Sequence, residues 1–136
     1  MVEAFKGFTL LFSSLSAKIA LFQSVANQAQ LIDPNCKIVG ADSDIYCIGA
    51  KQIEHFVQMP YIKDLNQDIL LKFCKENKIQ FVIPTRDGEL QFWAMHQEFL
   101  LKNQIGVMIS SSTAIALCED KYALFNHLEY APTPSI

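Results

Sequence analysis

Thr85, Arg86, Asp87 and Glu89 crowd around Gly88 at the end of an apolar run, Phe81 to Pro84. Each residue type has its own chemistry. An arginine holds a carboxylate through two parallel hydrogen bonds, or pairs with a neighbouring acid such as Asp87. An aspartate caps a helix, and a glutamate favours the positive helix end. Glycine lets the backbone turn where other residues resist. One cap suffices to start a helix, so the surplus of polar groups points to a ligand. A second polar stretch, Ser13, Ser14, Leu15 and Ser16, follows another apolar run. Its hydroxyls and the backbone N–H groups of a helix start suit an anion, with the charge of Lys18 close by. The alternative is that Ser14 or Ser16 only caps that helix. The stretch has none of the glycines of a dinucleotide or Walker loop. Asp42 stands where a nicotinamide-binding domain keeps its ribose acid, but without those glycines it does not make a dinucleotide site.

The positioning elements follow from periodicity. Phe8–Phe12 reads as a buried strand, then a helix from Ser16 with Ile19, Phe22, Val25, Ala26 and Ala29 inward. Cys36–Asp42 and His55–Pro60 are the next strands. A helix follows, capped by Asp64 or Asn66, with Ile69, Leu70, Phe73 and Cys74 inward. Gln80–Ile83 is the fourth strand. A helix carrying Leu90, Trp93, Ala94 and Leu101 inward precedes a fifth strand at 106–110. Ser112 caps a short helix to Cys118, and Asp120 caps another from Lys121 to Glu129. The ending, Ala131 to Ile136, holds two prolines and reads as extended.

Alternating helices and short apolar strands predict an α/β, doubly wound, mainly parallel five-stranded sheet with helices on both faces. With strand order 3-2-1-4-5 the architecture is Rossmann-like, and ligands bind where the order reverses. That switch point brings the serine loop and the loop 85–89 face to face. Phe8–Phe12 and Gln80–Ile83 are expected as central parallel neighbours.

Composition narrows the class. The 136 residues suffice for one domain, 51% of them hydrophobic and 18% charged, with net charge −3. An acidic balance argues against nucleic acid as a partner. No stretch reaches the roughly 18 apolar residues of a membrane span. Met1–Phe22 reads as strand, turn and helix in preference to a secretory leader, because Glu3 is acidic and serines interrupt the apolar run. Cys36, Cys47, Cys74 and Cys118 have no metal or redox spacing and read as reduced thiols, which with the leader reading makes the cytoplasm the expected compartment. His55, His96 and His127 lie on separate elements, so no metal site is expected.

The stretches Phe81–Leu90 and Phe99–Ile136, above all "IPTRDGEL" and "CEDKYALFNHL" followed by "PTP", resemble the N-terminal, pre-ATP-grasp domain of ATP-grasp ligases, carbamoyl-phosphate-synthase-like proteins in particular. "IVGADSD" and "HFVQMP" fit the same pattern, which runs from Leu10 to the last residue. The resemblance implies a Rossmann-like domain whose crevice faces an ATP-grasp domain. It implies chemistry in which ATP and magnesium make an acyl phosphate that an amine or thiol attacks. By position, Thr85, Asp87 and Glu89 would line the substrate site, and Lys121 would contact nucleotide. Relatives often carry glycine and arginine where this chain has "SSLSAK". The implied organisation is a domain over 1–130 and, at 131–136, the start of a linker to an ATP-grasp domain outside the chain.

The combined reading is a substrate-side domain of an ATP-dependent ligase, inactive by itself. Its candidate substrate residues are Ser13, Ser14, Ser16, Thr85, Arg86, Asp87 and Glu89. Its expected partners are a small-molecule substrate and the ATP-grasp domain, and tight ATP binding by this chain alone is not expected. Two alternatives stand beside it: a free-standing nucleotide-binding Rossmann module, which would bind nucleotide alone, and an interaction domain, which would bury the switch loops in a homodimer.

Overall fold

A computed structural model describes residues 7–129. The strands are β1 (Thr9–Phe12), β2 (Lys37–Asp42), β3 (Phe56–Gln58), β4 (Phe81–Ile83) and β5 (Gly106–Val107). The helices are α1 (Ile19–Ile32), α2 (Gln67–Glu76), α3 (Asp87–Lys102), α4 (Ser112–Glu119) and α5 (Lys121–Glu129). Every strand pair is parallel and the order is β3-β2-β1-β4-β5. The expected doubly wound, Rossmann-like sheet is the one found, with β1 and β4 side by side in its interior. The proposed linker at 131–136 lies outside the described residues.

Side chains alternate across the sheet. Leu11 lies in register between Val39 and Val82, and all three pack beneath Leu70, Phe73 and Cys74 of α2 and Trp93 and Leu100 of α3. Leu10 and Phe12 face the other way, onto Phe22 and Ala29 of α1. Burial on both faces is why the strands read as unbroken apolar runs. Each fully buried Leu, Val or Phe contributes about 1.5–3 kcal/mol.

The ends of α2 and α3 are built alike. Lys78 and Gln104 take left-handed backbone, at φ 55° and 64°. In each the following residue bonds back into the helix, Ile79 N–H to the Cys74 carbonyl and Ile105 N–H to the Leu100 carbonyl, both at 2.9 Å or less. These are Schellman closures, with the apolar pairs Ile79–Cys74 and Ile105–Leu100 in the core. Each closure delivers the chain directly into β4 or β5.

Some expected details shift. Asn66, not Asp64, caps α2, accepting from Ile69 N–H at 2.9 Å. Asp64 instead ends a 3-10 turn, Ile62–Asp64. Ser111, one residue before Ser112, caps α4. Asp120 caps α5 as expected. Ile69 and Leu101 are exposed, and Leu100 takes the inward place assigned to Leu101. Leu100 lies seven residues after Trp93 and so within about 20° of it around the helix, whereas Leu101 is turned about 80° away.

All four cysteines are free thiols. Burial pushes the Cys74 thiol up to about 11. A thiol raised on folding stabilises fully below its unfolded value, so this contribution is lost as pH rises from about 9 toward 11. At pH 8, iodoacetamide should label exposed Cys118 first and spare Cys74 until denaturant is added. Equal labelling rates at the two thiols would refute this placement of Cys74.

Candidate functional site

Beyond the carboxyl ends of β1 and β4, the two polar loops are stapled together. Glu89, in the first turn of α3, is 1% exposed. Its Oε1 accepts from the Ser13 hydroxyl at 2.6 Å and the Thr85 backbone N–H at 3.1 Å. Its Oε2 accepts from the Ser14 hydroxyl at 2.8 Å. The Thr85 hydroxyl donates to the Ser13 carbonyl, and Lys18 Nζ donates to the Ser14 carbonyl at 2.8 Å. A carboxylate offers only acceptors, and here both oxygens are met by donors and by the positive end of α3. The switch point of the sheet is thus closed by a network linking residues more than 70 positions apart in sequence.

The serine loop has its own geometry. Ser14 and Ser16 take left-handed backbone, at φ 51° and 47°. That delays α1 to Ile19, so neither serine caps the helix, contrary to expectation; Lys18 holds the cap position without a side-chain capping bond. Three of the loop's N–H groups are spent inside the protein: Ser13 N–H on the Ile83 carbonyl at 3.2 Å, and Leu15 N–H on the Ala41 carbonyl and Ser16 N–H on Asp42 Oδ2, each at 2.8 Å. Asp42 Oδ1 accepts from Asp44 N–H. Asp42 therefore shapes this loop. Gly49 closes the loop from outside, donating to the Ser16 carbonyl at 2.7 Å. A Cβ there would stand 2.7 Å from that carbonyl oxygen and 2.6 Å from Leu15 Cγ. Gly49→Ala should cost about 1–3 kcal/mol through overpacking. A urea midpoint equal to that of the parent chain would show the loop to be looser than this.

An open cleft of about 380 Å³ remains beside the staple, toward β2 and β3. Ser14, Ser16, Lys18, Arg86 and Glu89 form its switch-point side. Asp42, Ser43 and the segment Met59 to Ile62 form the opposite wall. The volume suits a small molecule. Arg86 is the only arginine in the chain. It is exposed at the rim and takes no part in the ion pairs among the described residues, which are His55–Glu54 and Lys72–Glu76.

The structure divides the residues singled out in the sequence into three groups. Ser14, Ser16, Arg86 and Glu89 reach the cleft. Ser13 and Thr85 stand behind them in the network. Asp87 is the exposed first residue of α3 and does not cap it, since the cap position falls to Arg86. Lys121 is exposed at the start of α5, apart from the cleft lining. The wall Met59 to Ile62 was not anticipated. Pro60 and exposed Tyr61 mark it in the sequence as a break after a strand, but nothing there shows which way it faces.

A Rossmann-like parallel sheet with polar loops at its switch point is shared by many proteins, and it is comparison with known proteins that makes this chain a pre-ATP-grasp domain. It belongs to the PylC-like, N-terminal domain family, whose model matches residues 10–109. The same fold occurs in the biotin carboxylase domain of a single-chain bacterial carboxylase, at TM-score 0.62 and 12% identity over 90% of this chain and 28% of that one. It occurs in the K. lactis urea amidolyase, at TM-score 0.63 and 16% identity over 99% and 8% of the two chains. The Rhizobium etli pyruvate carboxylase shares it at TM-score 0.56 and 15% identity, over 88% and 12%. The chain thus spans under a third of the length of each of these structures. No match was found among curated proteins.

Proposed function

We propose that the chain is the substrate-side domain of an ATP-dependent ATP-grasp ligase, and that its cleft holds the carboxylate of a small-molecule substrate on Arg86. The observation that carries this reading is the placement of the sole arginine, unpaired among the described residues, at the rim of the switch-point cleft. A guanidinium presents two parallel donors to a carboxylate, geometry that lysine does not match. In a reaction of this class the carboxylate oxygen takes the γ-phosphoryl group of ATP, releasing ADP. An amine or thiol then attacks the acyl carbon and phosphate leaves, chemistry shared with carbamoyl-phosphate-synthase-like proteins.

ATP and magnesium belong to the ATP-grasp portion in this reading. Among the described residues no group of His, Cys, Asp and Glu is placed to hold a metal. The proposed division of labour has residues 1–130 as the substrate domain and 131–136 as a linker. Exposed Tyr122, Phe125 and Leu128 recur every third residue along α5 and give a following domain an apolar seam. Thr85 and Ser13 serve the site from behind the cleft, and Lys121, at the start of α5, is the residue assigned to nucleotide in this reading. Free thiols and the absence of a membrane-spanning helix among the described residues support a cytoplasmic setting.

Phenylglyoxal, which modifies arginine, reads Arg86 alone in this chain by intact mass. The cognate compound among free amino acids and dicarboxylates is expected to slow labelling about threefold at twice its dissociation constant. Protection by ATP and by no carboxylate would favour the free-standing nucleotide module instead.

A further inference from the structure

We infer that Glu89 is a positioning residue, which fixes Arg86 and the serine loop at the cleft and leaves ligand contact to them. The inference rests on the reading of Arg86 as the substrate-facing cation. An acid in this loop is naturally taken for a ligand group that receives a substrate amine. The geometry points elsewhere. Glu89 Oε1 already accepts two hydrogen bonds and Oε2 a third, from Ser13 and Ser14 of the loop after β1 and from Thr85 of the loop after β4. With 1% of its surface exposed, it has little room for an incoming ammonium.

Its hold on Arg86 is direct. The backbone N–H of the preceding residue, Thr85, is tied to the Glu89 carboxylate. The Arg86 carbonyl is tied to the Glu89 N–H at 3.0 Å. One residue thus brackets the arginine backbone from both sides. The guanidinium then lies along the first turn, its Nε 3.9 Å from where a Cβ on Gly88 would be. The same carboxylate secures Ser14 in a left-handed conformation that serine seldom adopts. Lys18 takes the carbonyl of that residue and so reinforces the same geometry.

Hydrogen bonds, not charge, do this work, and that separates the two roles. In Glu89→Gln the amide oxygen still accepts from Ser13 and Thr85. The amide nitrogen donates to the Ser14 hydroxyl, which accepts as well as donates. Glu89→Leu removes all three bonds, and Ser14→Ala removes one. The test uses the 136-residue chain without ligand and measures three things: the phenylglyoxal labelling rate of Arg86, hydrogen exchange at the Thr85 amide, and the melting temperature.

The Gln variant is expected to keep labelling within about 1.3-fold of the parent and Thr85 protected, since its geometry is intact. The Leu variant is expected to change labelling at least about fivefold and to lose the Thr85 protection. Should the Leu variant not fold, Ser14→Ala carries the test, with labelling changed about twofold and a melting temperature within a few degrees of the parent. A folded Gln variant that labels as the Leu variant does would overturn the inference in favour of a charge role. Leu and Ser14→Ala variants that label as the parent does would overturn it outright. Because these rates are taken without ligand, failure of carboxylates to protect Arg86 would sink the substrate assignment and leave the positioning role standing.

Discussion

Trp93→Ala is expected to remove about 3–5 kcal/mol of stability, the usual cost of truncating a buried tryptophan. Domains of this size hold about 5–15 kcal/mol in all, so the variant should be largely unfolded at moderate urea. Trp93 is fully buried between the sheet and α2, and it meets Phe92 edge to face at 5.4 Å. It shares its cluster with Met59, which lines the cleft, so its loss should loosen the cleft wall as well. The indole Nε1–H has no hydrogen-bond partner among the described residues. Trp93→Phe sheds that unpaired donor while keeping an aromatic ring, and should cost clearly less than the alanine change. Urea unfolding followed by far-ultraviolet circular dichroism ranks the three proteins. A midpoint for Trp93→Ala equal to that of the parent chain would contradict the packing described.

The sheet was legible in the sequence because its central strands β1 and β2 are buried on both faces and the helices α1, α2 and α3 each turn an apolar side inward. Order and direction then followed from the handedness of crossovers. The staple was legible only in part. Glu89 stands four residues before Trp93 and eleven before Leu100, so helical spacing places it on the inward face. Its partners, Ser13 and Ser14, come from the far side of a strand pairing, and no local pattern announces them. The left-handed serines were hidden because the usual marker of that backbone, glycine, is absent. The wall Met59 to Ile62 depends on the register that sets Gly40 beside Phe56, a tertiary fact. Conversely, Asp87 looked like a cap and is not one, because Arg86 occupies the cap position and its side chain makes no capping bond.

On the proposed function, Arg86→Gln should abolish most of the catalytic efficiency of a ligase carrying this domain and barely affect its folding. The arginine side chain is exposed and engages no partner among the described residues, so truncating it removes no internal contact. A bidentate bond to a carboxylate is charge-assisted on both sides, and its loss costs the transition state about 2.7 kcal/mol or more. That corresponds to at least about a 100-fold fall in kcat/KM. Arg86→Lys keeps the charge but not the fork, and should recover only part of the rate. The deciding measurement is kcat/KM for the carboxylate substrate, followed by ADP release in the full ligase, for the parent, Arg86→Lys and Arg86→Gln, with melting temperatures taken on the same samples. The account predicts a graded loss in that order at constant melting temperature. An unchanged kcat/KM in Arg86→Gln would contradict it.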